Sequence, residues 1–235
     1  MITSRFGTKR WYNEKGELHR DNDLPAIEWL NGTKEWYQDG LKHRVDGAAA
    51  VWSDGTKRWY QNNMLHRVDG PAVEKSNGTK VWCLNNKLHR EDGPAVEKSN
   101  GTKMWYQNDA LHREDGPAII IFDGIKEWYQ NDKLNREDGP AVEKSNGTKR
   151  WYQNNKLHRE DGPAIIIFDG TKRWFIENKE YTEEEFNKII KRRKDLARWV
   201  YQRWYSDFMR NPATERGQRY INKDYDRMMK ELEVL

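Results

Sequence analysis

The chain has 235 residues, 34% of them charged, yet its formal net charge is only +4. Together with a strongly negative mean hydropathy, this excludes a thick apolar core, and the near balance of signs gives no whole-molecule field that would select nucleic acid. Aromatic residues make up 12% of the chain, with 12 Trp, and they must supply most of the burial, each ring covering roughly 150–250 Å².

In chain order, Met1–Arg10 lacks the apolar stretch of a signal peptide, and the single cysteine, Cys83, has no partner for an internal disulfide. Both point to an intracellular, cytoplasmic protein. The longest apolar runs, Ala118–Phe122 and Ala164–Phe168, fall far short of the roughly 20 residues that span a bilayer, so a soluble protein is expected.

From residue 7 the chain repeats. Glycines at 7, 32, 55, 78, 101, 124, 147 and 170 each open a Gly-Thr-Lys or Gly-Ile-Lys triplet with a tryptophan four residues on, and after a first step of 25 every step is 23. A fixed period of this size signals a repeat architecture. Within a unit, Thr-Lys-x-Trp-Tyr-Gln has the β-branched and aromatic content of a strand, and Asn-Asn or Asn-Asp supplies residues that tolerate positive φ in a hairpin turn. Leu-His-Arg begins the return. Asp-Gly-Pro-Ala is expected to form a bend or bulge within it, with Gly permitting unusual backbone angles and Pro withdrawing a ladder donor. The next extended stretch, Ala-Val-Glu-Lys or Ala-Ile-Ile-Ile, leads through Ser-Asn-Gly or Phe-Asp-Gly into the following unit.

The expected fold is therefore mostly β: an elongated, single-sheet antiparallel ribbon of β-hairpin repeats over residues 1–176, followed by a helical tail over 177–235. Alternation assigns the tryptophans to one face and Tyr37, Tyr60, Tyr106, Tyr129 and Tyr152 to the other. Equivalent residues lie roughly 10 Å apart, and the ribbon is expected to run on the order of 70 Å. Stability should then be a sum of nearest-neighbour terms, with both ends in need of caps.

The unit Gly-Thr-Lys-x-Trp-Tyr-Gln-Asn-Asn-Lys-Leu-His-Arg-Glu-Asp-Gly-Pro-Ala resembles a divergent MORN-type repeat, in the Leu-His-Arg-Glu-Asp-Gly-Pro-Ala variant of giant DNA virus and phage proteins. The likeness covers residues 7–176. It implies a β-hairpin ribbon used as a scaffold or interaction surface, in which the family offers no catalytic residues to carry across.

Three constellations bear on chemistry. His19, His43, His66, His89, His112 and His158 share one repeat position, but ligands bind zinc at about 2.0–2.1 Å, and histidines about 10 Å apart along a ribbon do not share an ion. They are read as hydrogen-bonding residues, with no metal and no cofactor. The Arg-Glu-Asp segments are read as ion pairs with Asx-type turn bonds around Asp-Gly-Pro, since multiplying one environment along a line is the opposite of an asymmetric active site. No enzyme is expected. Lys and Arg interleaved with aromatics resemble a nucleic-acid stacking platform, but the offsetting glutamates make that partner the less favoured one.

At Thr182-Glu-Glu-Glu185 a capping box opens a helix whose apolar stripe includes Phe186, Ile189, Ile190, Leu196, Val200, Trp204 and Phe208, ending at Asn211-Pro212. A second amphipathic segment with Ile221, Tyr225, Met228, Met229 and Leu232 follows. These helices are read as a cap on the last hairpin, or otherwise as a docking element. The functional expectation is a non-enzymatic interaction or structural protein, a virion or assembly component being one setting, with capsid or assembly subunits among its candidate partners. Candidate protein-binding residues are Tyr37, Tyr60, Tyr106, Tyr129, Tyr152, Trp199, Trp204 and Phe208. The alternative is a module for phosphate-bearing ligands, nucleic acid or an anionic lipid surface, bound through Lys191, Arg192, Arg193 and Lys194.

Overall fold

In the computed structural model, which describes residues 2–3 and 7–210, the side chains of 2, 3, 204 and 207–210 excepted, each unit is a hairpin that opens in its middle. The unit around Trp36 shows how. Tyr37–Gln38 pairs with Leu41–Lys42 across the Asp39-Gly40 turn, and Lys34–Glu35 pairs with Ala50–Val51. Trp36 sits between the two pairings: its N–H donates to the Ala49 carbonyl at 2.8 Å, and its own carbonyl accepts from the His43 N–H at 3.1 Å. One tryptophan thus faces two residues of the return chain, and residues 44–48 leave the ladder as a five-residue loop.

This arrangement is copied with a period of 23. From residue 2 to residue 150, two-residue strands pair antiparallel, each with the next, Glu74 standing between Lys57 and Lys80 and Glu97 between Lys80 and Lys103. Such opposite-charge cross-strand pairs stabilise the register. The expected β-hairpin repeat with a helical tail is what forms, and beside this sheet lie separate two-stranded ladders, such as Tyr60–Gln61 with Met64–Leu65. The apolar interior is narrow. Ala26, Ala49, Ala72, Ala95, Ala118 and Ala141, the alanine after Pro or Gly-Ala in successive units, are 0% exposed.

The turns obey residue chemistry. At Asn62-Asn63, Asn85-Asn86, Asn108-Asp109 and Asn131-Asp132 both residues have positive φ, the backbone of a two-residue hairpin turn. The second turn residue also reaches the preceding unit: Asn63 Oδ1 accepts from the Lys42 N–H at 2.7 Å while its own N–H donates to the Lys42 carbonyl at 3.0 Å. Asp109 and Asp132 do the same to Leu88 and Leu111, which explains why Asn and Asp interchange there: both carry Oδ1.

Two compact units divide the chain, Met1–Lys156 and Leu157–Leu235. In the second, Ile165–Ile166, Lys172–Ile176 and Lys179–Tyr181 form a small antiparallel sheet. On it packs helix α1 (Glu183–Arg210), burying Phe186 and Ile190 against Ile176 with Trp174, Tyr181 and Ile189 around them. Its start is the expected capping box: Thr182 Oγ1 accepts from the Glu185 N–H, and Glu185 Oε2 accepts from the Thr182 N–H. No described helix is long and apolar enough to cross a membrane. The second amphipathic segment, with Ile221, Tyr225, Met228, Met229 and Leu232, lies outside the described residues, as does Asn211-Pro212.

Candidate functional site: a row of arginine-braced loops

The five-residue excursions stack unit upon unit, and each is organised by one arginine. Arg90 lies over the ring of Trp82 at 4.1 Å from its centroid. Its Nε donates to Asp92 Oδ1 at 2.8 Å, and its Nη1 donates to the Pro94 carbonyl and to Glu97 Oε1, both at 3.3 Å. Arg67, Arg113 and Arg136 repeat the stack on Trp59, Trp105 and Trp128. The loop is therefore held by a guanidinium whose face meets an aromatic ring and whose edge meets carboxylates and a carbonyl. Arginine's hydrogen bond is also what holds Asp69, Asp92, Asp115 and Asp138 below the usual carboxylate range.

This brace corrects one sequence expectation and bears out another, the Arg–Asp ion pair. The glycine of Asp-Gly-Pro is not there for an unusual backbone angle, since none of Gly70, Gly93, Gly116, Gly139 and Gly162 has positive φ, nor has Gly47 of the equivalent Asp-Gly-Ala. It is there because a Cβ on Gly93 would meet Arg90 Cζ at 2.8 Å, and one on Gly70 would meet Arg67 Cζ at 2.9 Å. The aspartate, in turn, serves the arginine two residues earlier. The eight-residue step from Trp to Arg, kept in each unit from Trp36 to Trp151, was the available signal for the stack, and it is invisible to strand periodicity.

The histidines hold the next unit's turn. His43 Nδ1 accepts from the Asn62 N–H at 3.3 Å, and His66, His89 and His112 do so for Asn85, Asn108 and Asn131. Asn135, which replaces histidine in one unit, offers Oδ1 to the Asn154 N–H at 3.1 Å. An acceptor is what the position requires, and both side chains provide one.

Between successive loops runs an open groove, lined in one instance by Arg67, Pro71, Trp82, Leu84, Arg90 and Glu91. The arginines and aspartates beside it are mutually engaged. Glu91 and Glu114, at 88% and 86% side-chain exposure, point outward with only a long approach to the Nε2 of His89 and His112, at 3.8 and 3.7 Å. Glu137 is exposed at the same position.

Tyr37, Tyr60, Tyr106, Tyr129 and Tyr152 are half-buried. Lys42 Nζ lies between the first two rings, 5.4 and 5.3 Å from their centroids, and the Tyr37 hydroxyl donates to Glu35 Oε2 at 3.1 Å. Burial, assisted by Glu127, pushes the Tyr129 hydroxyl up to about 12. Cys83 replaces a tyrosine of this row and is buried, which pushes its thiol up to about 11.

On α1, Trp199 is 47% exposed, with Arg203 over its ring at 5.3 Å; the side chains of Trp204 and Phe208 lie outside the described residues. The basic run divides between a paired arginine and three exposed cations. Arg193 turns back to donate to Glu160 Oε1 at 2.6 Å, while Lys191, Arg192 and Lys194 are exposed. Among the described residues no group of three His, Cys, Asp or Glu could hold a metal ion. No protein-family model matches this chain, and no curated protein matches its sequence.

Proposed function

We propose that this protein is a non-enzymatic repeat scaffold that binds another protein through several units at once, in the manner implied by its likeness to MORN-type repeats, with assembly of a virion or another large complex as a fitting setting. One observation carries the reading: a single loop environment of Trp, Arg and Asp is multiplied along the chain with near-constant distances, joined by an outward Glu in the units of Arg90, Arg113 and Arg136. Repetition of one environment suits distributed recognition, in which weak contacts add through a high effective concentration. Catalysis needs different groups with separated pKa values converging on one point.

The test alters full-length protein in one, two or three units and measures capture of its binding partner. Affinity should fall stepwise with the number of units changed. Loss of all binding from one residue in one unit, or turnover that such a change abolishes, would overturn the scaffold. The exposed Lys191, Arg192 and Lys194 favour a second reading, phosphate-bearing ligands. That contact would weaken steeply as salt is added, whereas a shape-driven protein contact would weaken much less.

A further inference from the structure

One loop of the series is occupied within this molecule. Residues 158–164 read His-Arg-Glu-Asp-Gly-Pro-Ala, as do 89–95 and 112–118, and 135–141 differ only in Asn135. The 158–164 loop makes the same internal bonds as the others: Arg159 Nε to Asp161 Oδ1 at 2.6 Å, Arg159 Nη1 to the Pro163 carbonyl at 3.2 Å, and His158 Nε2 at 3.8 Å from Glu160. It nevertheless also accepts a guanidinium from a helix, Arg193 Nη1 on Glu160 Oε1 at 2.6 Å, and Glu160 drops to 54% exposure. Lys194 adds its field at Asp161. The braced loop therefore takes a cationic helix without giving up any of its own bonds.

Glu91, Glu114 and Glu137 hold the equivalent position in three consecutive units and are exposed. We infer that this row receives a cationic α-helical segment of another protein, with Arg or Lys at every seventh residue. The inference rests on the scaffold reading and names the chemistry of its partner. Successive units are two strands apart, about 9.6 Å at the usual strand spacing, and seven residues of helix rise about 10.5 Å, so one side of a helix presents a cation to each loop in turn. Flexible Arg or Lys stems absorb a mismatch of about 1 Å per step. The groove beside Glu91 contributes Trp82, Leu84 and Pro71 as apolar floor for the same helix.

The probe is a synthetic Ala-rich helix of about 20 residues with Arg at i, i+7 and i+14, read by fluorescence anisotropy against the full chain. A peptide of equal charge with Arg at i, i+5 and i+10 is the control. The first should bind more tightly than the second, and the combined change Glu91→Gln, Glu114→Gln, Glu137→Gln should weaken it roughly tenfold while thermal melting stays unchanged. Equal binding of both peptides, or no loss in the triple variant, would overturn the inference. Self-association of the protein that the triple change abolishes would replace the foreign helix by a second copy and overturn it too. If the peptides fail while partner capture still falls stepwise with the number of units altered, only this inference is lost; if the stepwise dependence is absent, the scaffold reading is lost with it.

Discussion

The tryptophan row and the tyrosine row are neighbours in sequence and opposite in tolerance. All eight units keep Trp, from Trp11 to Trp174, whereas the following position holds tyrosine in six units, Cys83 in one and Phe175 in another. The difference lies in what each ring must do. In successive units from Trp36 to Trp128, the tryptophan backbone joins both parts of its hairpin and its ring carries the arginine that shapes the loop. A tyrosine fills half-buried surface, and its hydroxyl has no partner common to all units, so a smaller or less polar side chain is accepted. Identity across copies marks the residue with fixed partners on every side.

The sharpest way to break this comparison is Trp105→Ala. It removes the ring under Arg113 and should destabilise by about 3 kcal/mol, read by urea unfolding, whereas Tyr106→Phe should stay within about 0.5 kcal/mol. Equal losses at the two positions would refute the distinction. A smaller effect tests the brace itself. Gly93→Ala pushes a Cβ against Arg90 and should cost about 1–2 kcal/mol, a loss that Arg90→Ala in the same chain largely removes. Gly101→Ala, at φ +86 with open space around it, should cost about 1 kcal/mol whatever stands at 90.

In the C-terminal unit, where a capping box takes the place of the arginine brace, Thr182→Ala should lower stability by about 1 kcal/mol and fray the start of α1, seen by hydrogen exchange at Glu185. The smallest effect is acid sensitivity. Because arginine lowers the folded-state pKa of Asp69, Asp92, Asp115 and Asp138 from 3.8, their stabilisation is present above that value and is lost as pH falls through the lower folded values. The melting temperature should therefore decline below about pH 4. Asp92→Asn should reduce that slope slightly.

Much of the fold was legible because it depends on local chemistry. Asn62-Asn63 and its copies take positive φ as their residue types allow, and Thr182 and Glu185 cap as their spacing dictates. The segment around Asp-Gly leaves the ladder as expected, but proline is not what drives it, since the unit with Ala48 in place of proline leaves in the same way. The candidate site was legible only in part. That Arg-Glu-Asp segments pair internally could be read from charge order, but the stacking of Arg90 on Trp82 required knowing that the loop folds back over its own strand. The basic run read as a continuous patch loses Arg193 to Glu160, a residue 33 positions away, and no local pattern carries that contact.

Period, turn chemistry and strand alternation thus came from the chain itself, since each is governed by residues a few positions apart. Which carboxylates are consumed and which stay outward was decided by packing. Glu97 and Glu91 are both glutamates of one unit, yet the first is claimed by Arg90 and the second is not, because the guanidinium has one stacked orientation and its donors reach only one of them.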